Sequence, residues 1–301
     1  MKKFGLIGDP IATSLSPALF KAAYGDEYSY SLIEGNDFSE SWQKFTDFYD
    51  GINVTAPFKT LALSKADLCT SYCGKTGAAN IIVKTDKGLL ADNSDFTGII
   101  LSICQAYFPG LIDKLRETYG DAAHIKAHQY FRQAAGAMFA RKPIALIVGC
   151  GGAGMAAAVA TAELGFNTAI MNRSEDKAAA FSARLPEYNF IIDRMSDFKD
   201  AFRECDLMIY TLPVRLDAID TLDAADYEGE DRYKWPRPSK VILEANYKTP
   251  AFDRKRVEEF GAQYISGKTW LFYQALTGYG RLTGKSPNLK EMERVIYGDP
   301  K

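Results

Sequence analysis

Residues 144–172, IALIVGCGGAGMAAAVATAELGFNTAIMN, constrain the fold more tightly than any other stretch of the chain. Ile144 to Val148 is an apolar run of the kind that forms a parallel strand buried on both faces. Gly149 then permits a tight turn, Gly151 lets the backbone approach a pyrophosphate, and Gly154 lets a helix pack close to the sheet. An alanine-rich helix follows until Gly165, and Asn167 to Asn172 reads as the next strand. Strand, glycine turn, helix and strand within about 30 residues make the right-handed crossover of a doubly wound sheet. The unpaired N–H groups and positive dipole end of that helix complete an anion site. Gly149, Gly151, Gly152, Ala153 and Gly154 are therefore candidates for binding a dinucleotide. Such a glycine pattern is weak alone; its place between a strand and a helix gives it weight.

The end of the second strand discriminates between nicotinamide nucleotides. An NAD site usually places Asp or Glu there for the ribose 2′-hydroxyl. Here the strand ends Asn172-Arg173-Ser174, with Lys177 one turn later. A carboxylate would repel a 2′-phosphate, whereas a guanidinium can bind it through two hydrogen bonds. The expectation is NADP, with Asn172, Arg173, Ser174 and Lys177 among its contacts. Asp176 is close by and keeps NAD open.

Bulk properties narrow the function classes. The chain has 301 residues, enough for about two domains. A formal net charge of -2 offers no global basic field for nucleic acid or an anionic membrane. No apolar run approaches the ~20 residues needed to cross a bilayer, and the N-terminal one stops at Gly8, short of a signal peptide. The expected compartment is the cytoplasm. Cys69, Cys73, Cys104, Cys150 and Cys205 are odd in number and irregular in spacing, which argues against a disulfide framework. Cys69 and Cys73 with His124 and His128 lack zinc-site spacing, so no metal is expected.

Ahead of the glycine motif, the short runs FGLI (4–7), INV (52–54) and NIIV (80–83) alternate with helix-like segments, which predicts a first α/β domain. Ser16 and Pro17 mark a helix start, as N-cap and first helical residue. Ser14 and Ser16 place two hydroxyls at that N-terminus, suited to a carboxylate or to plain capping. Asn53 to Lys59 ends a strand with polar groups and one lysine, while Gly77 to Asn80 and Asp92 to Asp95 add an amide and carboxylates in turns. A lysine beside an aspartate can exchange a proton with a reacting carbonyl or hydroxyl. The expected organisation is an N-terminal α/β domain over 1–103, completed by helices in 268–301. A helical connection with an insertion covers 104–142, and the doubly wound domain covers 143–267.

Together these clusters resemble the shikimate dehydrogenase family. GDPIATSLSP is similar to its opening motif and INVTAPFK to its catalytic strand end. GAAN, DNSDFTG, GCGGAG, NRS and GKTWLFYQ follow in the family's order. The combination is specific, although each piece alone is not. The resemblance implies an α/β protein of two domains, an N-terminal substrate domain and a Rossmann-type NADP domain. It implies reversible reduction of 3-dehydroshikimate to shikimate with NADPH, in aromatic amino acid and chorismate biosynthesis, by a monomer or homodimer. It also implies that Ser14 and Ser16 hold the substrate carboxylate, and that Thr55, Asn80 and Gln274 contact the ring hydroxyls. Lys59 and Asp95 would form the catalytic pair, with Lys59 passing the proton to the carbonyl oxygen. Gly267 falls where the family's backbone approaches the nicotinamide.

The chain departs from the family pattern in four places. Ile81 stands where the family usually has Thr, and Tyr210-Thr211-Leu212-Pro213 replaces a loop of the N-A-T type. The family's substrate-contacting tyrosine aligns with Glu244, so its role does not pass to Tyr247. The helical stretch near 105–141 is longer than the usual linker. An NAD-using quinate/shikimate dehydrogenase and a non-catalytic ligand-binding homologue are the alternatives. A binding protein has no need of both Lys59 and Asp95, which favours the enzyme.

Overall fold

Short buried strands alternate with helices along the chain, as the apolar runs predict. The structure, a computed structural model, describes residues 1–228 and 240–298. By packing it divides into two units, Met1–Gly98 together with the residues from Leu271 onward, and Ile99–Trp270.

The first unit holds β1 (Lys3–Gly8), α1 (Ser16–Tyr24), β2 (Ser29–Glu34), α2 (Phe38–Phe48), β3 (Gly51–Val54), α3 (Lys59–Ser64), β4 (Leu68–Cys69), α4 (Ser71–Thr76), β5 (Ile81–Thr85), β6 (Gly88–Asp92) and the start of α5 (Ser94–Tyr107). Its sheet has the order β2-β1-β3-β5-β6-β4. β1 is parallel to β2 and β3, whereas β5 is antiparallel to β3 and β6. The C-terminal ends of β1, β3 and β6 therefore share one edge with the start of β5. α2 begins because the Asp37 carboxylate accepts from the backbone N–H groups of Ser39 and Glu40. Its buried Phe38 and Phe45, two turns apart on one face, meet Ile7, Ile33, Ile52, Val54 and Ile82 of the sheet.

The second unit adds α6 (Leu111–Tyr119), α7 (Ala123–Met138), β7 (Ile144–Val148), α8 (Gly152–Glu163), β8 (Asn167–Met171), α9 (Glu175–Ala183), β9 (Ile191–Asp193), α10 (Phe198–Glu204), β10 (Leu207–Tyr210), α11 (Ala224–Tyr227), β11 (Val241–Glu244), α12 (Arg254–Glu259) and β12 (Gln263–Ile265). Its strands run in the order β12-β11-β10-β7-β8-β9, and every neighbouring pair is parallel. Counted from β7 this is the doubly wound order, whose reversal between β7 and β10 marks the ligand crevice at the strands' C-terminal ends. Ala156 to Ala160 of α8 are fully buried, so only small side chains let that helix lie on the sheet. α7 packs within this unit, where Phe131 stacks on Phe166 with centroids 5.8 Å apart.

Lys240 is fully buried, yet its charge is spent locally. Its Nζ donates to the carbonyls of Phe202, Arg203 at 3.3 Å and Cys205 at 2.9 Å, closing the C-terminus of α10. A cation suits that negative end of a helix dipole.

The chain closes with α13 (Gly267–Thr283) and α14 (Leu289–Tyr297). Within the first unit α13 lies close against α5. A Cβ on Gly98 would stand 2.8 Å from the Gln274 nitrogen, and one on Gly278 2.8 Å from Ser94 Oγ. The two glycines set that approach. Among the described residues no helix is long and apolar enough to cross a membrane, and no cluster could hold a metal ion.

Candidate functional site

The shared sheet edge of the first unit gathers residues far apart in sequence. Lys59 opens α3 just past β3, and Asp95 lies in the first turn of α5 just past β6. Lys59 Nζ donates to Asp95 Oδ2 at 2.5 Å, with side chains only 14% and 3% exposed. So dry a pair is poorly screened by water, and a helix N-terminus favours the carboxylate.

The turn carrying Asp95 is fixed from several directions. Asn80 Oδ1 accepts from the Ser94 N–H at 2.8 Å, and its Nδ2 donates to Ser94 Oγ at 3.1 Å. Asn93 Oδ1 accepts from the Phe96 N–H at 3.2 Å, while Nδ2 donates to Ala78 O at 2.6 Å. Asp92 accepts from Thr70 Oγ1 at 2.6 Å and from Arg281 Nε at 2.7 Å. The sequence points to Asn80 here, but gives Asn93 and Arg281 no role, because their partners lie on other elements.

Ser14 and Ser16 stand together at the start of α1. The helix begins at Ser16, so Leu15 rather than Ser16 takes the N-cap position. The reason is that Ser14 Oγ itself accepts the Ser16 N–H at 3.2 Å, and it lies 3.1 Å from Ser16 Oγ. Both hydroxyls are half-buried. Tyr279 OH donates to the Ser16 carbonyl at 3.0 Å, and Tyr30 OH to Asn53 Oδ1 at 2.9 Å. Burial holds the Tyr30 phenol well above its ordinary pKa. Thr55 follows β3, and its methyl occupies the space that a side chain on Gly8 would need.

Gln274 lies on α13 beside Gly98, one turn along α5 from Asp95. Its Oε1 is buried without a hydrogen-bond partner among the described residues. A buried acceptor left unmade costs about 1–3 kcal/mol, so an orphan of this kind points to a donor on a ligand.

The glycine loop of the second unit also has its steric reasons. Gly149 has φ 107°, and Thr211 Oγ1 fills the place of any side chain there. A Cβ on Gly154 would overlap the Gly149 carbonyl, whose carbon is 2.7 Å away, whereas one on Gly151 would meet nothing within 4 Å. α8 begins at Gly152 with no side chain capping its N-terminus, which leaves the first N–H groups of Gly152, Ala153 and Gly154 for an anion. Asn172 Oδ1 accepts from the Cys150 N–H at 3.0 Å and Nδ2 donates to Ser174 O at 2.9 Å, so this amide ties the loop to the end of β8. Arg173, Ser174 and Lys177 are exposed there. These features fit a dinucleotide. Gly154→Ala is expected to destabilise the protein by about 1–3 kcal/mol, as overpacking does, and to weaken nucleotide binding. Thermal melting and nucleotide titration check it, and an unchanged melt would show that the loop yields freely.

A family model described as the shikimate dehydrogenase substrate binding domain matches residues 6–82. A relative from Methanococcoides burtonii, named shikimate dehydrogenase (NADP(+)), is 27% identical over 98% of each chain. The crystal structure of Mycobacterium tuberculosis shikimate dehydrogenase is 26% identical, covers 98% of each chain and has a TM-score of 0.71. Along nearly its whole length the chain is similar to shikimate dehydrogenases, and residues 6–82 match their substrate binding domain. A Thermus thermophilus shikimate 5-dehydrogenase solved with NADP(H) and shikimate shares the fold at 22% identity, 98% coverage of each chain and a TM-score of 0.70.

The places where this chain departs from the shikimate dehydrogenase pattern have physical explanations. Ile81 is buried, with its Cδ1 3.1 Å from the Cβ position of Gly278, so it fills the interface with α13. Tyr210 and Glu244 are both fully buried at the ends of β10 and β11. Burial pushes the Glu244 carboxyl pKa up against the donors around it. Tyr247 is half-buried on the loop that follows.

Proposed function

We propose that this protein is an NADP-dependent oxidoreductase that reversibly reduces 3-dehydroshikimate to shikimate, a step of aromatic amino acid biosynthesis. The observation that carries the reading is the Lys59–Asp95 pair at 2.5 Å, held at the sheet edge that also bears Ser14, Ser16, Thr55 and Asn80. We assign substrate binding to the first unit and the nucleotide to the second. NADPH, when bound, supplies the hydride. The ammonium of Lys59 gives its proton to the carbonyl oxygen as negative charge develops there, and takes it back in the reverse direction. Asp95 holds that ammonium in place. Ser14 and Ser16 bind the carboxylate, while Thr55, Asn80 and Gln274 orient the ring hydroxyls. Gly149, Gly151, Gly152, Ala153 and Gly154 would hold the pyrophosphate, and Arg173, Ser174 and Lys177 the 2′-phosphate. Asn172 would support both loops, and Gly267 would let the backbone approach the nicotinamide. The protein would work in the cytoplasm as a monomer or homodimer.

Initial rates of nicotinamide reduction with shikimate or quinate, against NADP or NAD, test this directly. The highest kcat/KM is expected for shikimate with NADP. A higher value for quinate with NAD would reassign the substrate and nucleotide, and no turnover with any pair would remove the activity.

A further inference from the structure

Tyr210 and Glu244, two departures from the family pattern, are Cα partners across β10 and β11. Each is fully buried at the C-terminal end of its strand, the edge where a doubly wound sheet receives its ligand. A buried carboxylate must find donors. Glu244 finds three. Its Oε1 accepts from the Ala251 N–H, and its Oε2 from the Phe252 N–H at 3.3 Å and from Tyr264 OH at 2.9 Å. One side chain thus ties the loop after β11 to β12, on which Tyr264 lies.

The same loop is closed on itself by Asn246, whose Oδ1 accepts from the N–H groups of Lys248 at 3.1 Å and Thr249 at 3.2 Å. Arg215 joins it to the loop after β10, because Nη1 donates to the Ala251 carbonyl and Nη2 to Asp220 at 2.5 Å. In that earlier loop Tyr210 OH donates to Val214 O at 2.6 Å. At its other end the brace touches Gly267: a Cβ there would overlap Ala245 O and stand 2.7 Å from Glu244 O.

We propose that Glu244 is a positioning residue for the nicotinamide end of the cofactor, fixing residues 245–252, and through Arg215 residues 211–216, around Gly267. This rests on the NADP reading above. Glutamine cannot replace it. All three facing groups are donors, and the amide would turn one of its own N–H groups toward them.

The test compares Glu244→Gln with Tyr264→Phe, a milder variant that keeps both backbone bonds. Calorimetric titration measures binding of NADP and of adenosine 2′,5′-bisphosphate, which carries the 2′-phosphate end without the nicotinamide. Glu244→Gln should weaken NADP about tenfold, the scale of one lost hydrogen bond to a charged group, and leave the bisphosphate nearly unchanged. Its KM for NADP should rise in step while the KM for shikimate holds. Tyr264→Phe should move the same way by less, and it decides the matter should Glu244→Gln not fold. Equal weakening of both ligands, or no weakening of NADP, overturns the proposal. A parent protein that binds both ligands yet shows no shikimate-dependent turnover would count against the assigned activity, and the binding comparison would still stand.

Discussion

Replacing Lys59 with alanine is expected to lower kcat by about 100-fold or more, with little change in the KM for shikimate, since positioned proton transfer is worth about that much. Hydride addition builds negative charge on the carbonyl oxygen, and a cation already in place needs no reorganisation to meet it. Binding should survive, because the carboxylate and the ring hydroxyls keep Ser14, Ser16, Thr55, Asn80 and Gln274. Asp95 is 3% exposed and would be left as a buried carboxylate without its cation, so some stability should go as well. Thermal melting must therefore accompany the kinetics. Parental turnover in a folded Lys59→Ala protein would remove Lys59 from the mechanism. A fall in affinity matching the fall in rate would make it a binding residue only.

The glycine loop was legible residue by residue because each glycine answers a local demand. Gly149 needs a positive φ and Gly154 touches the backbone five residues before it, so both constraints fit inside one short window. Lys59 and Asp95 were legible as residue types, but their meeting was not. It depends on β3 and β6 both pairing with β5, a register that no local pattern encodes. The resemblance supplied that link. The supporting network was hidden for the same reason. Tyr279 bonds Ser16 across 263 residues, and Arg281 bonds Asp92 across 189. Ser16 itself shows the limit of local reading, since it is the first helical residue and gives its own N–H to Ser14 Oγ instead of capping the helix as the Ser-Pro pair suggests. Glu244 looked like a lost contact in sequence; only the donors of Ala251, Phe252 and Tyr264 reveal what the carboxylate does.

Arg173→Ala is expected to weaken NADP by about tenfold to 100-fold and to leave NAD nearly unchanged, the range for hydrogen bonds to a charged group. Arg173 is exposed on the turn between β8 and α9 and makes no hydrogen bond or ion pair among the described residues, so its guanidinium has no internal duty to lose. Holding the loop is the work of Asn172, whose amide spans Cys150 and Ser174. The two jobs are separate, which makes the comparison clean. An arginine that reads the 2′-phosphate matters only for the nucleotide that carries one, whereas a residue that shapes the loop matters for both. Exposed charges are also screened, so the parent's preference for NADP should shrink as ionic strength rises, and the variant should show little of that dependence. Equal loss of NADP and NAD in Arg173→Ala would assign this residue to the loop. Asp176 would then be the group at that strand end with a claim on the ribose, and NAD the nucleotide that fits it.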